Sequence, residues 1–147
     1  MAGFSITFGM AIDLESMRSA VASLERSVGV AEGMSAMPVD LRETVRAGVI
    51  QNFEVAYESS WKFMQRWLRE NGPPQDADSP RTRKDLFRMA ANAGLLEDPV
   101  PWFRFGEARN LTSHTYDETH AQGSFEVAIS FLPYAKQLLS RLESRND

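Results

Sequence analysis

The sequence predicts an all-α chain, arranged as an antiparallel up-and-down four-helix bundle with one short extra helix. Three observations carry that reading. Apolar residues recur at alternating spacings of three and four in several separate stretches; glycine and proline cluster mostly between those stretches; and no segment shows the period-two alternation of a half-buried strand.

The first stretch begins at Leu14 and places Met17, Val21, Leu24 and Val28 on one face, ending near Gly29. AEGMSAMPVD then reads as a connector, with Pro38 suited by its fixed φ to open the next helix. Val45, Val49, Phe53, Ala56, Ser60, Phe63 or Met64, and Trp67 share a face of a long second helix, which NGPP at 71–74 must terminate. A third helix takes Ser79 as its N-cap and Pro80 just inside; Leu86, Met89, Ala90 and Ala93 face inward and Gly94 is its stop. Asp98 and Pro99 start the short extra helix, which contains Trp102, Phe103 and Phe105 and carries Arg109 at its far end. Phe125, Ile129, Leu132, Leu138 or Leu139, and Leu142 mark a last helix that Pro133 is expected to bend.

A chain of 147 residues is the usual size of one domain, and 1–147 is read as one, with 1–11 an extension or a disordered lead-in. No apolar run approaches the ~18 residues of a membrane span, and the N-terminus has no basic region followed by an apolar core, so the expected location is the cytoplasm. With no cysteine and two histidines, neither a thiolate nucleophile nor a transition-metal site is expected. The formal net charge of −4 disfavours a general polyanion binder. Two local basic groups stand out against it: Lys62, Arg66 and Arg69 on one helical face, and Arg81, Arg83, Lys84 and Arg88. Either also serves as a solvated face paired with nearby acids. Three tryptophans and nine phenylalanines are more than a slender bundle easily buries, which predicts an apolar surface patch.

GEARNLTSHTYDE, at 106–118, places Arg109, His114 and Tyr116 within eight positions. On one straight helix Arg109 and His114 would lie about 140° apart and their side chains would diverge. Convergence needs a helix break between Arg109 and Tyr116, and Thr115 with Glu118 has the spacing of a capping box; Thr119 with Gln122 forms a competing one. Histidine exchanges protons near neutrality, and arginine presents a permanent cationic fork to phosphate oxygens, so the pair suits phosphate chemistry or phosphate binding. The same residue types also serve as capping and packing material at a helix end. His120 reads as an exposed helix residue, and Trp61, Trp67 and Trp102 as core.

FEVAYESSWKFMQRWL at 53–68, AANAGLLED at 90–98 and RNLTSHTYDE at 109–118 resemble the nucleotidyltransferase substrate-binding proteins of the HEPN superfamily of helical bundles, over roughly residues 14–142. The resemblance implies a homodimer that works with a small nucleotidyltransferase. It also implies that Arg109 and His114 occupy the place of the pair that cleaves RNA without a metal in HEPN toxins, that Asn110 is the polar position after the arginine, and that Tyr116 is the tyrosine to which the partner attaches AMP. Neither a cofactor nor a membrane is implied. Two functions follow, and the first is preferred: a noncatalytic partner subunit with a nucleotide or phosphate site, using Asn110, Tyr116, Lys62 and Arg66 for binding; and a metal-independent endoribonuclease toxin with Arg109 and His114 catalytic, neutralised by adenylylation of Tyr116. A helical oligomerisation module with a degenerate site is a third.

Overall fold

The computed structural model describes residues 11–72, 82–112 and 117–146, and every regular element among them is helical. Helix α1 spans Glu15–Ala31, α2 Val39–Asn71, α3 Arg83–Asn92, α4 Val100–Leu111 and α5 Glu118–Ser144, with a 3-10 turn at Met34–Ala36. α1 and α5 pack along α2, and the two short helices pack on each other, α3 against α2 and α4 against both α2 and α5. No described helix is long and apolar enough to cross a membrane.

Of the periodic residues of α2, Val49, Phe53, Ala56, Ser60 and Met64 are buried as expected; Val45 and Trp67 are half-buried, and Leu68 continues the stripe where Trp67 was expected to. Ser60 is tolerated there because its hydroxyl donates to the Ala56 carbonyl one turn back, which satisfies a polar group in an apolar seam. Phe131 of α5 is the hub of the core. It is fully buried and meets Phe53, Tyr57, Trp102 and Phe105 edge-on, with ring centroids 5.3, 6.2, 5.3 and 5.0 Å away. Edge-to-face contacts of this kind set the aromatic quadrupoles favourably as well as burying area. One ring thereby ties α5 to both α2 and α4.

Several boundaries differ from the sequence reading for identifiable reasons. Pro38 lies one residue outside α2, in extended backbone, rather than in its first turn. The third helix is capped by Thr82, whose hydroxyl accepts from the Asp85 amide at 3.1 Å; the expected cap, Ser79, lies outside the described residues. Gly94 does stop α3. It sits at φ 85°, where the Leu95 amide returns to the Ala90 carbonyl and the Gly94 amide to that of Ala91, a Schellman closure. The Ala93 and Gly94 carbonyls accept from Arg145 and Arg141 at the end of α5. Helix α5 continues through Pro133, which faces solvent.

The aromatic surplus does not make a surface patch among the described residues. Every described Phe, Trp and Tyr is buried or half-buried, and the exposed large apolar residues are aliphatic: Val30, Val39, Leu41, Val55, Val100 and Leu111. The two short helices absorb the excess rings by covering one end of the long-helix layer.

Phe131→Ala is expected to lower unfolding free energy by about 3–5 kcal/mol, because four rings lose a common neighbour and cannot collapse together. Urea denaturation checks this, with the exposed Val55→Ala expected to change stability by less than about 0.5 kcal/mol.

Candidate functional site around Arg109

Helix α4 ends at Leu111 and α5 begins at Glu118, so the expected break between Arg109 and Tyr116 is present. Arg109 stands in the last turn of α4, where its charge complements the helix C-terminus. Its guanidinium crosses to α2. Nη1 lies 3.1 Å from Glu54 Oε2 and donates to Thr112 Oγ1 at 3.2 Å, while Nε lies 3.8 Å from Glu58 Oε2. Nε is buried and donates no hydrogen bond to any described residue.

Thr112 closes this network. Its hydroxyl is 2.8 Å from both Glu54 Oε2 and the Arg109 carbonyl, with one proton for the two acceptors, and it is 5% exposed. Glu58 Oε2 also accepts from Trp61 Nε1 at 3.2 Å. An arginine anchored by two carboxylates and a hydroxyl has a fixed position before any ligand arrives. The carboxylates also offset its charge, so a phosphate must compete with them.

The groove above this network has a volume of about 510 Å³ and is lined by Glu54, Val55, Glu58, Lys62, Phe63 and Arg109 among others. Of the binding residues expected from sequence, Lys62 therefore joins Arg109. Arg66 and Arg69 are exposed further along α2 and do not line the groove. Asn110 is turned away: it is exposed and lines a different hollow, between α3 and α4, because neighbouring helix positions point about 100° apart. His114 and Tyr116 lie outside the described residues.

The sequence reading missed Glu54, Glu58 and Thr112. A signal was available. Glu54, Glu58 and Lys62 repeat every four residues along α2, and a row of charges that also faces an arginine-bearing helix end reads differently from a solvated stripe.

The start of α5 is held separately. Asp117, not Thr115 or Thr119, is its N-cap and accepts from the Thr119 amide at 3.0 Å; Thr115 lies outside the described residues. Thr119 is two residues too late to cap, since it already lies inside the helix. His120 is exposed, with Nδ1 2.9 Å from Asp117 Oδ2. Glu118 takes a bidentate ion pair from Arg46 of α2, Nη1 to Oε2 and Nη2 to Oε1. The hydrogen bond from Arg46 holds the Glu118 carboxyl below its ordinary pKa, and the Thr119 amide, then His120, does the same for Asp117. Both ends of the segment from Thr112 to Asp117 are thus fastened to α2 or beside it, at Glu54 and at Arg46. Eight residues of helix separate those anchors, about 12 Å.

The fold is that of a helical bundle of the HEPN superfamily. The chain belongs to the nucleotidyltransferase substrate binding protein-like family, whose model matches residues 12–144. It is 37% identical over 109 residues, 74% of this chain and 75% of the other, to a Haemophilus influenzae protein named probable ribonuclease HepT. A solved H. influenzae structure, described as revealing the fold of a substrate binding domain of a nucleotidyltransferase, superposes with a TM-score of 0.83 at 33% identity, over 89% of this chain and 99% of that one. A Thermus thermophilus crystal structure matches with a TM-score of 0.59 at 28% identity, over 81% of this chain and 98% of that one.

Thr112→Val keeps the shape and removes the shared hydroxyl, and is expected to destabilise by about 0.5–1.5 kcal/mol through the lost hydrogen bonds, since Glu54 and Arg109 stay paired with each other, with Thr112→Ser restoring most of the loss. Urea titration of the three proteins checks it. A second expectation concerns acid. Because the Glu118 pKa is depressed in the fold, its contribution is complete above the usual glutamate value of 4.5 and is lost as pH falls through the folded value. The stability gap between the native protein and Arg46→Met should be constant from pH 7 to about 5 and shrink below that; a gap independent of pH down to 3 would contradict the pairing.

Proposed function

We propose that this chain is the helical partner of a small nucleotidyltransferase and that its Arg109 groove cleaves RNA without a metal. The observation that carries the proposal is the fixed arginine: Arg109 is positioned by Glu54, Glu58 and Thr112 at the edge of an open groove shared with Lys62. His114, five positions after Arg109 in the sequence, is assigned as the base on the resemblance of the Arg109–Tyr116 pattern to that of the HEPN toxins. The name of the H. influenzae relative, probable ribonuclease, supports the same reading.

In the proposed reaction neutral His114 takes the proton of a ribose 2′-hydroxyl. The 2′-oxygen forms a bond to the adjacent phosphorus, the bond from phosphorus to the 5′-oxygen breaks, and the leaving oxygen takes a proton from water. Arg109 stabilises the charge that gathers on the phosphoryl oxygens in between. Lys62 contributes a second positive charge to the groove wall. Asn110 and Arg66, on different faces, serve strand contacts outside the reacting centre. Control comes from the partner: the phenolic oxygen of Tyr116 attacks the α-phosphorus of ATP, pyrophosphate leaves, and the attached AMP blocks the groove and pairs with Arg109. Dimerisation through exposed apolar residues, Val55 at the groove and Leu111 at the end of α4, would bring two such sites together.

A second reading has its own support. Glu54 and Glu58 already neutralise Arg109 and make the groove unwelcoming to a polyanion, as expected of a noncatalytic subunit that presents a nucleotide or Tyr116 to its partner. The two readings separate on RNA cleavage in EDTA by the unmodified chain, confirmed by intact mass, against His114→Ala and Arg109→Lys of equal fold. The expected result is cleavage that falls about 100-fold or more in either variant. No cleavage across a broad RNA panel would overturn the ribonuclease proposal in favour of the noncatalytic subunit.

A further inference from the structure

The hollow on the other side of α4 has its own chemistry. It holds about 230 Å³ between α2, α3 and α4, and Tyr57, Arg83, Lys84, Phe103, Gly106 and Asn110 shape it. Its floor exists because residue 106 is glycine: a Cβ there would sit 2.8 Å from the Tyr57 hydroxyl oxygen. That hydroxyl belongs to a fully buried side chain, accepts from Arg83 Nη1 at 3.2 Å and donates its own proton to no described residue. Its role is to fix the Arg83 guanidinium at the wall of the hollow.

The cations around it are held by rings rather than by acids. Arg83 lies 4.1 Å over the Trp61 ring and Lys84 5.5 Å over Phe103, and neither makes an ion pair with a described carboxylate. Arg88 also lies over Phe103, at 5.2 Å, but is paired with Asp85. One carboxylate, Glu107, lines the hollow; with the Asn110 amide at the rim it offers hydrogen-bond acceptors as well as donors. In an acidic protein, two cations unpaired among the described residues and stacked on aromatic faces around a small hollow are a local exception to the overall charge.

We propose that this hollow binds one nucleoside phosphate unit, its phosphate taken by Arg83, which the buried Tyr57 hydroxyl holds in place, and Lys84, and its base laid against Phe103 with its edge read by Asn110 and Glu107. The aromatic faces favour a base over a plain anion, since stacking is available to any base and outweighs an exposed cation–π contact that Lys84 gives up. The unit comes either as a free nucleotide or as one residue of a single strand. The inference concerns binding and does not rest on RNA cleavage in the Arg109 groove.

The test uses the full chain and two probes: a fluorescein-labelled 2′-O-methyl single-stranded oligonucleotide, which lacks the 2′-hydroxyl needed for cleavage, and AMP as competitor. Phe103→Leu is expected to weaken oligonucleotide binding about tenfold with the salt dependence unchanged. Arg83→Gln with Lys84→Gln should weaken it at least as much and flatten the plot of log affinity against log salt by about 0.7, the worth of the one phosphate they share on a single strand. Gly106→Ala, whose Cβ would push away the Tyr57 hydroxyl that holds Arg83, should also weaken binding, while the distant charge control Arg26→Gln should bind as the native protein does. Thermal melts establish that each variant is folded. Competition by AMP supports a free nucleotide as ligand; oligonucleotide binding without AMP competition supports a strand subsite. Loss in the charge variant with none in Phe103→Leu would mean a generic anion-docking surface, and would overturn the proposal. So would equal binding by all variants, or no binding by the native chain.

Discussion

Helix α2 must bury more than one face, because α1 and α5 lie along it and α3 and α4 reach it as well. A helix flanked in this way cannot keep a single narrow apolar stripe. The buried run from Val49 to Leu68 faces the long helices, and Tyr57 turns toward α3 and α4. The remaining face is left for chemistry. Glu54, Glu58 and Lys62 occupy it in a row, rigidly spaced because the backbone beneath them is packed on its other sides. Geometry held by a packed helix is tighter than geometry held by a loop.

Phe131 is what makes the short helices part of that arrangement. Its ring touches α2 through Phe53 and Tyr57 and α4 through Trp102 and Phe105, so the orientation of α4 is set by aromatic packing in the core. That orientation then decides where the last turn of α4 points. Arg109 falls toward Glu54 and Glu58, and its neighbour Asn110 falls toward Tyr57 and Arg83. One turn of helix thus divides two surfaces of different character, a groove with paired opposite charges and a hollow with cations resting on rings.

The segment between α4 and α5 inherits the same logic. Thr112 ends one helix inside the Glu54 network, and Glu118 starts the next in the grip of Arg46. Both contacts are made to α2, a hydrogen bond at Glu54 and an ion pair at Arg46, eight residues apart. Arg46 and Glu118 are 72 positions apart, and their pairing exists only because the bundle brings α2 beside the entry to α5.

Periodicity by itself determined that the chain is helical, where the long helices lie and which residues they bury, because the three-and-four spacing of Val49, Phe53, Ala56, Ser60 and Met64 is a local consequence of 3.6 residues per turn. Local turn chemistry likewise marked Gly94 as a stop, since the left-handed backbone there belongs to glycine. Caps were harder to read: Ser79, Thr115 and Thr119 have the right chemistry, but hydroxyl and carboxylate residues are plentiful at these junctions, and Thr82 and Asp117 were selected by where packing lets each helix begin. The separation of Arg109 from Asn110, and the union of Arg109 with Glu54, Glu58 and Lys62, were beyond any local pattern. They depend on the angle at which α4 crosses α2, and that angle is decided by rings drawn from α2, α4 and α5, which meet only in the folded core.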